Sequence, residues 1–162
     1  MGDSGLQWGA VGDDTGSQTM FFGEYEHAID DKSRLTLPAR FRAALADGVF
    51  LAKGLDGSVD VYPRGTWHRN VVARIGDLDP LLPETRVLQR HFFGGASEDV
   101  PDTQGRVHLP TPLVRHGGLA KEVTVVGNYD HLEIWDRAAW AARQEGREGS
   151  AGPAAERRGE KR

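Results

Sequence analysis

Short stretches in the middle of the chain alternate hydrophobic and polar residues, and this period of two is typical of strands with one buried face. In one such stretch Leu35 and Leu37 are expected to point inward. Arg34 and Thr36 then point outward, because successive side chains of a strand face opposite sides. The strands predicted in the first half of the chain are 23–29, 34–37, 49–53 and 58–62. The pattern predicts a fold dominated by short strands.

Prolines and a four-residue apolar period mark the predicted helices. Pro38 suits the first turn of a helix expected over 38–46. A second helix, starting at Pro63, carries apolar residues at every fourth position and therefore has one apolar face. A Pro-rich break, GDLDPLLPE, precedes a third helix predicted over 83–92.

The two halves of this middle region repeat each other. The block DDKSRLTLP at 30–38 matches DTQGRVHLP at 102–110, an offset of 72 residues. Further on, VDVYPRGTW at 59–67 matches LEIWDRAAW at 132–140, an offset of 73 residues. Matched blocks in the same order indicate a tandem duplication. Because each copy is too small to bury a sufficient core alone, we expect the two copies to pack together and share a core.

The second copy is predicted to repeat the elements of the first. Its strands are expected at 96–100, 106–109, 122–126 and 131–135, and its helices near Pro110 and Asp136. The expected organisation is a first unit at 20–75, a linker and helix at 76–92, and a second unit at 93–144. The N-terminal extension, 1–19, and the charged C-terminal tail, 145–162, lack apolar periodicity and are expected to be disordered.

Composition narrows the possible functions. The chain has 162 residues, of which 27% are charged, and it has no cysteine and a net charge of -4. The lack of cysteine excludes disulfides, thiolate metal sites and a cysteine nucleophile. No apolar run reaches the length of a membrane span and the start lacks the features of a secretory signal, so we expect a cytoplasmic protein without membrane contact. The acidic balance argues against a protein that coats nucleic acid, although a local basic patch remains compatible with it.

Such a basic patch is predicted on the first copy of the repeat. Its basic residues, within one strand, turn and helix, are Lys32, Arg34, Arg40 and Arg42. Lysine and arginine on a β-ribbon can reach the phosphates of DNA or the base edges in the major groove. The alternative is that Arg34 pairs with Asp30 or Asp31 and only fixes the turn.

The second copy is expected to bind anions less well than the first. It keeps Arg106 but has Gln104 at the position of Lys32. Asp30 and Asp102 recur at the same place in the two copies, and each is expected to cap its turn through hydrogen bonds with the backbone.

The doubled block, Asp-x-(Lys/Gln)-(Gly/Ser)-Arg-(Leu/Val)-x-Leu-Pro, resembles the MraZ family of bacterial transcriptional regulators, as do the segments MFFGEYEHAID and VTVVGNYDHLEIWDRAAW. The resemblance extends over 20–145. It implies an α+β, mainly β fold of two tandem swapped-hairpin, AbrB-like β-barrel units with short helices. It also implies homo-oligomeric rings that bind double-stranded DNA and associate with the nucleoid. The implied target is a set of short direct repeats upstream of the division and cell-wall gene cluster, the protein's own gene included.

Carried onto this sequence, the basic turn of the family falls on Lys32 and Arg34, with its counterpart at Arg106. The predicted DNA-binding residues are Lys32, Arg34, Thr36, Arg40, Arg42 and Arg106. Two positions depart from the family pattern, since Ser33 stands where the family usually has glycine and Gln104 where lysine is common.

Two other functional classes compete with DNA regulation. An enzyme finds no support, because the six histidines are scattered and the glycine-rich phosphate loops and serine-nucleophile motif are absent. We therefore expect no catalysis, cofactor or metal ion. The remaining alternative is a ring scaffold or an antitoxin-like protein without that DNA target, although the tail at 145–162 lacks the apolar anchors with which an antitoxin holds its toxin.

Overall fold

The computed structural model describes residues 19–147 and 149–160 of the chain. The predicted disordered extension at 1–19 therefore lies outside the described residues, apart from Thr19. The strands are β1 (Glu24–Ala28), β2 (Arg34–Thr36), β3 (Val49–Lys53), β4 (Val59–Pro63), β5 (Ser97–Asp99), β6 (Arg106–His108), β7 (Glu122–Asn128) and β8 (His131–Asp136). Each predicted strand is present, with bounds that differ by no more than two residues.

The helices are short and follow the strands of each copy. A 3-10 turn, Ala39–Phe41, leads into α1 (Arg42–Leu45), and α4 (Thr111–Gly117) and α5 (Arg137–Gly146) belong to the second copy. The helix α2 consists of three consecutive segments, which are Arg64–Thr66, the π-helical Trp67–Val72 and Ala73–Gly76. The helix α3 (Pro83–Gln89) continues as a π-helical turn, Arg90–Gly94. The last helix is α6 (Ala151–Glu160). No helix of the described residues combines the length and the apolar character needed to cross a bilayer.

The two copies exchange strands. Six strands form one antiparallel sheet in the order β1-β7-β8-β4-β3-β5, and β2 pairs with β6 in a separate two-stranded ribbon. The first strand of each copy pairs with the other copy, since β1 lies beside β7 and β5 lies beside β3. The sheet is joined at its centre by β4 and β8, the last strands of the two copies. This arrangement confirms the α+β class, with a mostly antiparallel sheet and several short helices, so the expectation of a mainly β fold goes further than the structure. It also means that the boundaries 20–75 and 93–144 separate the copies in sequence but not in space.

One hydrophobic core takes side chains from both copies. Leu35 and Val107 of the ribbon belong to it together with Val61 and Leu132 of the central strands, and none of these four is more than 1% exposed. The prediction that the copies share a core is therefore confirmed. A smaller cluster forms where Trp67 of α2 stacks on Phe50 at 5.2 Å between ring centroids.

Most described residues of the C-terminal tail are helical, whereas the sequence predicted disorder over 145–162. The helix α5 continues to Gly146, with the Asp136 carboxylate accepting a hydrogen bond from the Ala139 N–H at its start. After Ser150 the chain forms α6. Alanine and arginine are strong helix formers, and Pro153 lies in the first turn, where a missing N–H breaks no helical hydrogen bond. The helix α6 thus forms through local helix propensity, although it buries no face in the core.

Candidate nucleic-acid interface

The repeated blocks of the two copies meet in the ribbon of β2 and β6. The paired positions are Arg34 with His108, Leu35 with Val107, and Thr36 with Arg106. Leu35 and Val107 are buried, so the alternate positions of both strands form the opposite face. This ribbon face carries Arg34, Thr36, Arg106 and His108, all of them at least partly exposed. A two-stranded ribbon of this kind has the width that the major groove of DNA admits.

An aspartate builds the turn next to each strand of the ribbon. The Asp30 carboxylate accepts hydrogen bonds from the backbone N–H groups of Lys32 and Arg34, both at 2.9 Å. Asp102 accepts the equivalent two bonds in the second turn, again at 2.9 Å. The predicted capping role of the two aspartates is therefore confirmed. The backbone hydrogen bond from Arg34 is the largest influence that holds the pKa of Asp30 below its usual range, so this carboxylate is ionised at neutral pH.

The same aspartates fix the arginines of the ribbon face. Nε of Arg34 donates to Asp30 at 2.8 Å, and Nε of Arg106 donates to Asp102 at 2.8 Å. The pairing of Arg34 with Asp30, the alternative left open by the sequence, is thus present. It uses only the Nε edge, and the terminal Nη atoms of both arginines have no hydrogen-bond or ion-pair partner within the described ranges. The aspartates therefore orient two guanidinium groups whose outer nitrogens remain available to an anion.

The tips of the two turns differ in charge. Lys32 is exposed at the first tip and forms no ion pair with any described residue. Gln104, also exposed, occupies the corresponding tip of the second turn. The structure thus places Lys32, Arg34, Thr36 and Arg106 together, with the stronger positive charge on the first turn.

The two remaining predicted residues, Arg40 and Arg42, lie in different surroundings. The Arg42 side chain lies against Gly105 of the second turn, and its Nε donates to the Leu37 carbonyl at 3.1 Å. Arg42 therefore adds charge beside the turn that lacks a lysine. The guanidinium of Arg40 instead lies over the Phe22 ring, 4.6 Å from its centroid. This cation–π contact gives Arg40 a packing role at the start of the fold.

His108 belongs to the ribbon face but was not among the predicted DNA-binding residues. It is exposed and faces Arg34 across the ribbon. The 72-residue offset of the repeat equates His108 with Thr36 and was the signal that could have identified it. The pairing of β2 with β6 was needed to show that both positions share one face.

The fourth residue of the turn has a left-handed backbone in both copies, although the residue type differs between them. Ser33 has a φ of 59° and Gly105 a φ of 78°. Glycine adopts this region freely, whereas a residue with a Cβ does so at a cost of about 1–2 kcal/mol. The first turn therefore contains local strain that the second turn lacks.

Exchanging these two residues is expected to shift stability in opposite directions. Ser33→Gly should raise the free energy of unfolding by about 0.5–1 kcal/mol, because it relieves the left-handed strain. Gly105→Ser should lower it by about 1–2 kcal/mol, since an added Cβ would lie 2.6 Å from Cδ of Arg42. Urea denaturation followed by circular dichroism measures both. Shifts of the same sign would contradict the assigned strain.

The chain is similar to known proteins over most of its length. The model of a family described as "MraZ protein, putative antitoxin-like" matches residues 20–78 and 92–160. A protein of Corynebacterium diphtheriae is 45% identical over 126 residues, which are 78% of this chain and 87% of that protein. A protein of Mycobacterium sp. (strain KMS) is 43% identical over 129 residues, which are 80% of this chain and 90% of that protein. A protein of Heliobacterium modesticaldum is 43% identical over 122 residues, covering 75% and 85%. Each of the three is named "Transcriptional regulator MraZ".

Proposed function

Because this chain belongs to the MraZ family, whose named relatives are transcriptional regulators, we propose that it regulates transcription by binding specific sequences of double-stranded DNA. The proposed target is a series of short direct repeats upstream of the division and cell-wall gene cluster, including the protein's own gene. Its proposed location is the nucleoid.

The observation that carries this proposal is the ribbon of β2 and β6. Its inner positions anchor it in the core, while its outer face presents two arginines, a histidine and a threonine beside Lys32. A strand pair fixed in this way holds its outward side chains at defined spacing, as recognition of a groove requires. The overall net charge of -4 is no obstacle, because only this face has to meet the phosphates.

We propose that the active form is a homo-oligomeric ring. A single ribbon has only a few basic contacts, so one subunit would bind DNA weakly. Several linked ribbons that engage repeats about 10 bp apart would raise the apparent affinity by about 10²–10⁴-fold. Exposed apolar residues between the two copies support contacts between subunits, since Leu81, Leu82 and Val87 are 82%, 48% and 61% exposed.

Footprinting on the DNA upstream of its own gene tests the proposed function. We expect protection of evenly spaced direct repeats, and an affinity that falls with salt by a slope of about −0.9 for each phosphate contacted. Light scattering of the same sample measures the ring. A protein that leaves this DNA unprotected at low salt would contradict the proposal, and co-purification of a small toxin would favour the antitoxin-like alternative.

A gain of function is expected when the second turn receives the missing charge. Gln104→Lys places a lysine at the tip that corresponds to Lys32, so DNA affinity should increase and the salt slope should steepen by about 0.9 for each new contact. Gln144→Lys makes the same charge change at an exposed position of α5 and serves as the matched control. Titrations of labelled repeat DNA at several salt concentrations measure the effect. Equal gains in both variants would show that only net charge matters.

A further inference from the structure

A second cluster of ionisable side chains lies where the two copies join in the sheet. Asp60 of β4 and Glu133 of β8 face each other in the register of the central strands. The 73-residue offset gives them the same position in the two copies. Carboxylates directly opposite each other on neighbouring strands repel, and Asp60 is only 7% exposed. Such a pair is stable in a fold when a cation lies between its members.

The third member of the cluster, His131, aims a ring nitrogen between the two carboxylates. Its Nε2 lies 3.8 Å from Oδ2 of Asp60 and 3.4 Å from Oε2 of Glu133. One ligand atom from each of the three residues lies within 4.8 Å of the other two. An ion bonded tetrahedrally at about 2.0–2.2 Å holds its ligand atoms about 3.3–3.6 Å apart, so small side-chain adjustments suffice to close these distances on one ion.

The surrounding residues orient each of these three groups. Nδ1 of His131 lies 2.8 Å from the Asp130 carboxylate, and Asp130 in turn accepts from Nδ2 of Asn70 at 2.8 Å. A histidine whose second nitrogen is held by a carboxylate is the usual arrangement around a metal-bound histidine. Oε1 of Glu133 accepts from Trp135 Nε1 at 3.0 Å. This outer shell leaves the other nitrogen of His131 to face the two opposed carboxylates.

The remaining carboxylate is oriented in the same way. Ser58 donates to Oδ1 of Asp60, at 2.6 Å. Its other oxygen, Oδ2, is the atom that lies nearest to the His131 ring. The outer shell thus directs Oδ2 of Asp60 and Nε2 of His131 towards a common point. The third atom there is Oε2 of Glu133, which also accepts from Nδ2 of Asn128 at 3.1 Å.

A small cavity opens beside this point. It has a volume of about 200 Å³ and is lined by residues that include Asp60, His131 and Glu133 together with Tyr62 and Phe92. Its space suffices for water molecules, which can complete the coordination of an ion held by three protein ligands. The His131 ring also stacks on Tyr62 at 4.6 Å between centroids, which fixes its orientation.

The arrangement of acidic groups in the cluster favours a cation. The carboxyl groups of Asp60, Asp130 and Glu133 lie 3.8, 2.8 and 3.4 Å from the ring nitrogens of His131. Three acidic side chains therefore surround a single imidazole.

We propose that Asp60, His131 and Glu133 bind one divalent transition-metal ion, such as Zn²⁺, and that this ion links the two copies through β4 and β8. Imidazole together with carboxylate suits zinc and related ions, whereas magnesium prefers a full set of oxygen ligands. The sequence did not indicate this site, because its ligands are on two copies and show no metal-binding spacing. Since Ser58 occupies the position of His131 in the first copy, the expected stoichiometry is one ion for each chain.

Calorimetric titration of the tag-free, chelator-treated full chain with Zn²⁺ tests the proposal. We expect saturable binding of one zinc for each chain, a higher melting temperature with zinc, and no competition from Mg²⁺. His131→Gln should weaken zinc binding by at least about 100-fold and Asp130→Asn by about 10–100-fold. His68→Gln alters an exposed histidine of α2 and should leave zinc binding unchanged.

The wild-type titration decides the matter even where a variant fails to fold. Wild-type protein without stoichiometric zinc binding would overturn the proposal and leave the cluster as an ion-pair network. Equal zinc binding by wild type and a folded His131→Gln or Glu133→Gln variant would place the metal elsewhere and would also overturn it. Neither result bears on DNA binding by the ribbon, which is measured separately.

Discussion

Replacing Arg34 and Arg106 together by alanine is expected to lower the affinity for repeat DNA by at least about 100-fold. Each substitution removes a guanidinium from the ribbon face, and a single lost arginine contact costs about 1–3 kcal/mol. In the proposed ring that loss would recur at every engaged subunit, so the total effect would exceed the effect in one subunit. The turns should persist, because the aspartates keep their bonds from the backbone N–H groups. Titration of labelled repeat DNA with the variant measures the change.

A control variant distinguishes the loss of specific DNA contacts from the loss of net positive charge. Arg74→Ala combined with Arg90→Ala removes the same two charges from exposed positions on α2 and on the turn after α3. This control should bind DNA within a few-fold of wild type, and both variants should melt as wild type does. If the two double variants lost affinity equally, the arginines of the ribbon would not be specific contacts.

The largest effect on stability is expected from Gly127→Ala. Gly127 lies in β7 beside the segment that precedes β1, and its N–H donates to the Gly23 carbonyl at 2.8 Å. An added Cβ would meet the backbone nitrogen of Phe22 and lie 2.5 Å from its Cα, and backbone cannot rotate away as a side chain can. The free energy of unfolding should fall by about 2–3 kcal/mol, and the melting temperature by about 5–10 °C.

The reason for so large an effect lies in the residue next to the clash. Phe21 is 2% exposed and packs against the Phe41 ring at 4.9 Å, so displacing its backbone removes an aromatic anchor from the core. Gly76→Ala is the matched control, because no atom lies within 4 Å of the Cβ it adds. Thermal melts of both variants provide the comparison. A Gly127→Ala protein as stable as wild type would show that the segment before β1 is not fixed against β7.

Local sequence patterns predicted the elements of this fold, but they could not predict which distant strands pair with each other. The alternation around Tyr25 indicates a strand, but nothing local identifies Val125 as its partner in the other copy. The tail at 145–162 is predicted to be disordered because it has no apolar residue beyond alanine to bury, whereas α6 forms within it through local helix propensity.

The same distinction applies to the candidate sites. Lys32 and Arg34 could be found because they lie in one repeated block. His108 joins them only through the ribbon register. The proposed metal ligands Asp60 and His131 are far apart in sequence and meet only through the pairing of β4 with β8. Sequence periodicity reports on one element at a time, while a site of this kind depends on tertiary contacts.

The exchange of strands between the copies also constrains how the protein is made. During translation β1 leaves the ribosome early, but its partner β7 is synthesised roughly 100 residues later. Until then the edge of β1 has no partner within its own copy, and a truncated chain that ends before β7 would keep that edge open. Folding is therefore expected to be completed after nearly all of the polypeptide has emerged, so a stop codon within the second half would leave no half-sized domain that functions alone.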